Sequence, residues 1–221
     1  EGANKVREIL TAFGYGEVES ILDEWNLMYS WDLVNQAESY RAMKDHRGAS
    51  FYAAVLCALQ EQSDVAIATQ FEADVVKEFC GVFNVKNMCV GGLLANGGKG
   101  KFAELEPTKG FYAFKAFNSL YRMGNSVALT CNNEKVLATA ATGECGNGIL
   151  LSNQSGEPIE VSLQLSGVRG DLAVILTDAA NTNKRLMTLS AGDTVTLSLP
   201  LCADAFLYVG TDLPDPVPHY Q

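Results

Sequence analysis

The stretch ESILDEWN, residues 19–26, decides how the first half of the chain is read. Glu19 to Asp23 is a short run that reads as a strand, and it ends in Glu24, Trp25 and Asn26. Just upstream, Asn4 to Phe13 puts Val6, Ile9, Leu10 and Phe13 on one helical face, with Gly14 as the stop signal. Downstream, from Arg47 to Gln62, Phe51, Tyr52, Val55, Leu56 and Leu59 recur at helical spacing, while Gly48, Ala49, Ala53, Ala54 and Ala58 allow close packing. Val65 to Phe71 is expected to be a second, buried strand. A long irregular stretch follows, containing Gly91-Gly92 and the cluster Gly97, Gly98, Lys99 and Gly100, and it reads as a mobile loop. Pro107 then opens a helix from Thr108 to about Met123, whose Phe111, Tyr112, Phe114, Phe117, Leu120 and Tyr121 exceed one apolar stripe. Such a helix has to be covered on most of its surface. The order helix, strand, helix, strand, helix is that of a parallel α/β layer or barrel, but this many elements cannot close a barrel.

After Gly124 the texture changes to alternation, clearest in IEVSLQL (residues 159–165) and TVTLSL (residues 194–199). Period two with one apolar face indicates antiparallel strands. Similar segments at residues 136–141, 148–153, 172–177, 185–189 and 205–209, with turn signals at Ser155-Gly156, Val168 to Gly170 and Ala191-Gly192, predict a β-sandwich. The expected division is therefore α/β over residues 1–124 and all-β over residues 125–221.

Composition narrows the function classes. A hydrophobic fraction of 48% is enough to bury a sizeable core. A formal charge of −10 without clustered Lys or Arg argues against a nucleic-acid partner. The longest apolar runs fall short of a bilayer span, so no membrane partner is expected. The six cysteines lack any C-x-x-C pair and only two histidines accompany them, so no metal or cofactor is expected. They read as buried reduced thiols, which suits a cytoplasmic protein; secretion stays open if a leader precedes this sequence. The Gly97 to Gly100 cluster follows no strand and lacks the spacing of a phosphate-binding loop.

Glu24 is the position with most chemical content. In α/β barrels the C-terminal ends of the strands build the active site. A carboxylate there, beside an aromatic ring and an amide, is what glycosidic cleavage uses: one carboxylate attacks the anomeric carbon while a second acid protonates the leaving oxygen. The competing reading is a solvated surface carboxylate after a strand. Gln70 and Glu72, near the end of the second strand, and Trp31, Tyr29 and His46, on the segment after Glu24, are further candidates for a pocket rim; ordinary packing explains them equally well.

Residues 21–26, ILDEWN, resemble the end of the seventh barrel strand in clan A glycoside hydrolases, most of all family 39, which holds β-xylosidases and α-L-iduronidases; family 51 arabinofuranosidases are a more distant comparison. The segment from His46 to Leu59 resembles the helix after that strand, and Pro107 to Tyr121 resembles the closing eighth helix, with a β-sandwich to follow. The resemblance implies the C-terminal part of a (β/α) TIM barrel, from helix six to helix eight, followed by an antiparallel β-sandwich. It implies that Glu24 is the catalytic nucleophile of a retaining, β-xylosidase-like glycosidase and that Trp25 and Asn26 line its sugar pocket, with an oligosaccharide or glycoside as substrate. Phe71-Glu72 corresponds loosely to an aromatic-acidic pair in such relatives. The acid/base of these enzymes lies in an Asn-Glu pair on the fourth strand, which has no counterpart here, so this chain alone is expected to be inactive without the first half of the barrel, from the same or a separate polypeptide. A non-catalytic carbohydrate-binding or structural module is the alternative; between Val136 and Gly210 it has only Phe206 and Tyr208 as aromatic contacts. Homo-oligomerisation is left open.

Overall fold

A computed structural model describes residues 2–29, 32–62, 65–71, 81–87, 104–190 and 194–210. In chain order its elements are α1 (Gly2–Ala12), β1 (Ser20–Trp25), α2 (Leu33–Lys44), α3 (His46–Gln62), β2 (Val65–Gln70), β3 (Phe83–Asn87), β4 (Glu104–Pro107), α4 (Lys109–Met123), β5 (Asn125–Val127), β6 (Val136–Gly143), β7 (Gly146–Asn153), β8 (Ile159–Gln164), β9 (Asp171–Thr177), β10 (Lys184–Ser190), β11 (Thr194–Leu199) and β12 (Asp204–Gly210). The first two helices and strands of the sequence reading appear within a few residues of their expected bounds. Helix α2 and the antiparallel pair β3–β4 were not expected; the latter stands at the two ends of the stretch read as a mobile loop. The glycine cluster at 97–100 lies outside the described residues.

Strands β1 and β2 pair in parallel, with Trp25 opposite Gln70. One α-helical crossover, α2 plus α3, joins them, as parallel pairing demands. Neither strand has a buried residue, so the buried setting expected for β2 is not found; Trp25 of β1 packs against the core of α3 and α4, and these helices pack on the six-stranded antiparallel sheet β10-β9-β12-β7-β6-β5. Tyr52, Ala53 and Cys57 of α3 meet Ala113, Ala116, Leu120 and Met123 of α4, and below them lie Ala141, Leu150 and Phe206 of the sheet. This explains why α4 carries more apolar residues than one stripe: it packs against α3 and against the six-stranded sheet at once. Its Tyr121 nevertheless stands 78% exposed, so the expected cover does not reach the helix's last turn.

On the other face of the six-stranded sheet, β8 and β11 form a two-stranded antiparallel sheet. Alternation in β11 buries Val195, Leu197 and Leu199 and exposes Thr194, Thr196 and Ser198. The buried row joins Leu151, Leu172, Val174, Leu176 and Leu207 in one cluster. Leu150 and Leu151 are neighbours in β7 that point to opposite faces, one into each core, and both are almost completely buried. Leu150→Ala should therefore remove contacts from the helix side alone, at about 3 kcal/mol. The measurement is urea unfolding, with a lower midpoint at unchanged slope.

The outer part of the α/β half is packed on one side only. Helix α1 has no buried residue, and its Val6, Ile9 and Phe13 are at least half exposed. It is tied to β1 by Arg7, whose guanidinium donates to Val18 O and Ser20 Oγ. Ile21 of β1 and Ile67 of β2 are also about half exposed.

Of the four described cysteines, Cys57 is buried, as expected of all six, and burial pushes its thiol up to about 12. Cys131 departs from that expectation: it lies exposed in the β5–β6 connection, where no layer covers it. No helix is long and apolar enough to cross a membrane among the described residues.

Candidate functional site

Parallel pairing brings the C-terminal ends of β1 and β2 side by side, so Glu24, Trp25, Asn26, Gln70 and Phe71 gather at one end of the sheet. The backbone continues the pairing one step further, with Phe71 N–H donating to Trp25 O at 3.0 Å. The Trp25 ring turns toward the helices. Its centroid lies 6.4 Å from that of Phe51, 6.0 Å from Tyr52 and 6.0 Å from Phe114. The register with β2 is interrupted between Leu22 and Trp25, and Asp23 and Glu24 are both exposed. Among the described residues the Glu24 carboxylate has no hydrogen-bond or ion-pair partner. A strand-end carboxylate that is neither buried nor paired is available to attack or to stabilise positive charge.

Asn26 lies in the loop directly after the strand, and its amide is fully engaged. Oδ1 accepts from Tyr52 Oη at 2.8 Å and from Leu27 N at 2.7 Å, while Nδ2 donates to Phe71 O. Gln70 shares a face with Trp25 through their register. Trp25 Nε1 and Gln70 Nε2 are both buried donors without an acceptor among the described residues, an arrangement that costs about 1–3 kcal/mol each. Trp31 and Glu72 lie outside the described residues.

The residue that sequence reading missed is Tyr52. It was counted as one apolar position of α3, yet it is fully buried, and a buried tyrosine hydroxyl has to find a partner. That partner is Asn26, from the motif itself. The ring is held by Phe114 at 5.5 Å between centroids and by two glycines. A Cβ on Gly110 would come within 2.7 Å of Tyr52 Cε2, and one on Gly81 would overlap Tyr52 Oη. Thr108 Oγ1 donates to Gly81 O at 2.5 Å and fixes that glycine in turn. Gly81→Ala is thus expected to cost about 2–3 kcal/mol by overpacking, seen as a lower melting temperature.

Tyr29 and His46 sit beside an ionic cluster at the junction of α2 and α3. Arg47 forks onto Asp45, with Nη2 at 2.6 Å, and reaches Glu38 at 2.5 Å. These hydrogen bonds, Asp45 first, hold the Arg47 guanidinium even more firmly protonated than usual. His46 Nδ1 lies 3.7 Å from Asp45, and Tyr29, half exposed, donates its backbone N–H to Ser39 Oγ. Burial, the leading cause, raises the Tyr29 phenol.

A second unusual carboxyl lies away from this end. Asp204 opens β12, is 4% exposed, and its Oδ1 has no hydrogen-bond partner among the described residues. Burial pushes it up to about 8; its own backbone N–H and Lys109 pull the other way, and Asp178 adds to the rise. The Lys109 ammonium donates to the carbonyls of Asp178 and Ala179, so it acts on Asp204 through its charge and not through a hydrogen bond.

No known protein-family model matches the sequence, and no characterised protein matches it significantly. The fold does have relatives among solved structures. A family 30 subfamily 8 xylanase, Xyn30A, from Clostridium acetobutylicum superposes with a TM-score of 0.60 at 13% identity, over 89% of this chain and 43% of that one. A glucosidase from Croceicoccus marinus gives 0.63 at 16% identity, over 96% and 50%. A Paenibacillus polymyxa xyloglucanase of family 44 gives 0.56 at 14% identity, over 95% and 35%. The named families are 30 and 44, so family 39 gains no direct support. The chain spans between a third and a half of the length of these structures. At such identities the likeness is one of fold: mixed helix and strand with a sheet-rich second half, shared with glycoside hydrolases.

Proposed function

We propose that this chain is the nucleophile-bearing part of a retaining glycoside hydrolase, β-xylosidase-like, acting on an oligosaccharide or aryl glycoside. The observation that carries the reading is Glu24: an exposed carboxylate, unpaired among the described residues, near the C-terminal end of a parallel strand, with Trp25 and Asn26 beside it fixed against the helices. Glu24 attacks the anomeric carbon, the glycosidic oxygen departs with a proton from a second acid, and water then hydrolyses the glycosyl ester. Trp25 and Asn26 hold the strand end from the helix side. Trp31 and Glu72, in the segments following β1 and β2, together with Gln70 contribute sugar contacts.

The second acid belongs to a complementary half of a (β/α) barrel, of which α1 to α4 are the C-terminal part, and β5 to β12 form the β-sandwich that follows it. Support for this comes from the apolar positions left open on the outer side: Val6, Ile9, Phe13, Ile21 and Ile67. Monomeric proteins rarely leave such a surface uncovered. Alone, the chain turns over no glycoside. The reading is tested by giving the whole protein aryl β-xylosides and β-glucosides and following the first-formed sugar by proton NMR. Retention of the anomeric configuration is expected; an inverted product contradicts it.

A further inference from the structure

We infer that Tyr52 is a positioning residue for Glu24, acting through Asn26; the inference rests on the reading of Glu24 as nucleophile. A nucleophile has to be held within a fraction of an ångström of its target, and a 1 Å misplacement can cost about 100-fold in rate. Glu24 stands near the end of a strand whose register with β2 is interrupted between Leu22 and Trp25, so regular ladder bonds do not fix it there. Thr69 Oγ1 donates to Asp23 O and Phe71 N–H to Trp25 O on either side of Glu24, and the Asn26 amide adds a tie from the loop after β1 to Phe71 O at the end of β2.

An asparagine amide has two ends of nearly equal shape, one accepting and one donating. Leu27 N–H, which can only donate, places oxygen on its side of Asn26 at 2.7 Å and leaves Nδ2 for Phe71 O, and Tyr52 Oη donates to that same oxygen at 2.8 Å. The tyrosine therefore anchors the amide to α3. Its own position is fixed by complete burial, by Gly81 and Gly110 against the ring, and by the Trp25 and Phe114 rings. The path from helix to nucleophile is Tyr52 to Asn26, and from Asn26 to the joined strand ends that carry Glu24. A tyrosine in the middle of α3 thus governs a carboxylate that it never touches.

The test is Tyr52→Phe, which keeps the ring and removes only the hydroxyl, made in the whole protein beside Asn26→Ala and the double variant. With an aryl glycoside, kcat should fall about 10-fold with KM within about twofold of wild type. The double variant should be no slower than Asn26→Ala, because the hydroxyl works through that amide. A simple loss of packing lowers melting temperature without this non-additivity. Hydrogen exchange gives a readout that needs no turnover: in Tyr52→Phe, peptides covering residues 20–29 and 65–71 should exchange about 10-fold faster while the peptide of α4 stays protected. Unchanged exchange in those two peptides, or additive effects on kcat, overturns the inference. Full turnover by Glu24→Gln sinks the glycosidase reading instead, and exchange still decides whether Tyr52 holds the strand ends.

Discussion

Glu24→Gln in the whole protein is expected to lower kcat by about 10⁴-fold, equivalent to about 5.5 kcal/mol of transition-state stabilisation. The amide copies the carboxylate's shape and removes its charge and nucleophilicity, so no glycosyl ester forms. Folding should be almost indifferent to the change. The side chain is exposed and makes no hydrogen bond or ion pair among the described residues, and such substitutions usually stay within about 0.5 kcal/mol. The contrast between lost turnover and unchanged melting temperature separates a nucleophile from a structural acid. Glu24→Ala offers a further check: azide, small enough to enter the vacated space, should restore turnover of an activated aryl glycoside and give a glycosyl azide of inverted configuration.

Asp204→Asn should stabilise the protein at neutral pH by a few kcal/mol. The sign follows from where each state releases its proton. The unfolded carboxyl titrates near 3.8 and the folded one near 8, because burial penalises its charge. Below pH 4 both states hold the proton and Asp204 contributes no penalty. As pH rises from 4 to 8 the unfolded state ionises while the folded state does not, and stability falls by up to about 1.4 kcal/mol per pH unit. At pH 7 the accumulated penalty is on the order of 4 kcal/mol. Asparagine has the same shape and does not titrate, so the difference in unfolding free energy between variant and wild type should widen from pH 4 to pH 8. A constant difference over that range would show that the carboxyl ionises alike in both states.

Much of the fold was legible because its signals are periodic. The alternation in residues 159–165 and 194–199 places β8 and β11 within a residue, and the apolar spacing of residues 47–62 places α3. What escaped lacks such periodicity. Helix α2 interleaves Asn35, Gln36, Glu38 and Arg41 with its few apolar residues, and it is anchored by the burial of Ala42 and Met43 and by Glu38 reaching Arg47 on α3. Strand β4 ends in Pro107, which as a sequence signal opened the next helix, and three-residue β5 is too short to alternate. Trp25 shows a deeper limit. The motif places it at the strand end, but which face it takes depends on what packs behind it, and Phe51, Tyr52 and Phe114 draw it to the helix side. Glu24, one residue earlier, stays exposed. Tyr52 looked like one more apolar position because its hydroxyl partner lies 26 residues earlier in the chain.

The most direct test of the account is to trap the glycosyl ester. The whole protein should be incubated with an activated 2-deoxy-2-fluoro glycoside, which slows hydrolysis of the intermediate, then digested and sequenced by mass spectrometry. The account predicts that the peptide containing ILDEWN, residues 21–26, gains the mass of one fluorosugar, carried on Glu24. A fluorosugar on any other carboxylate, with Glu24 unmodified, would contradict it.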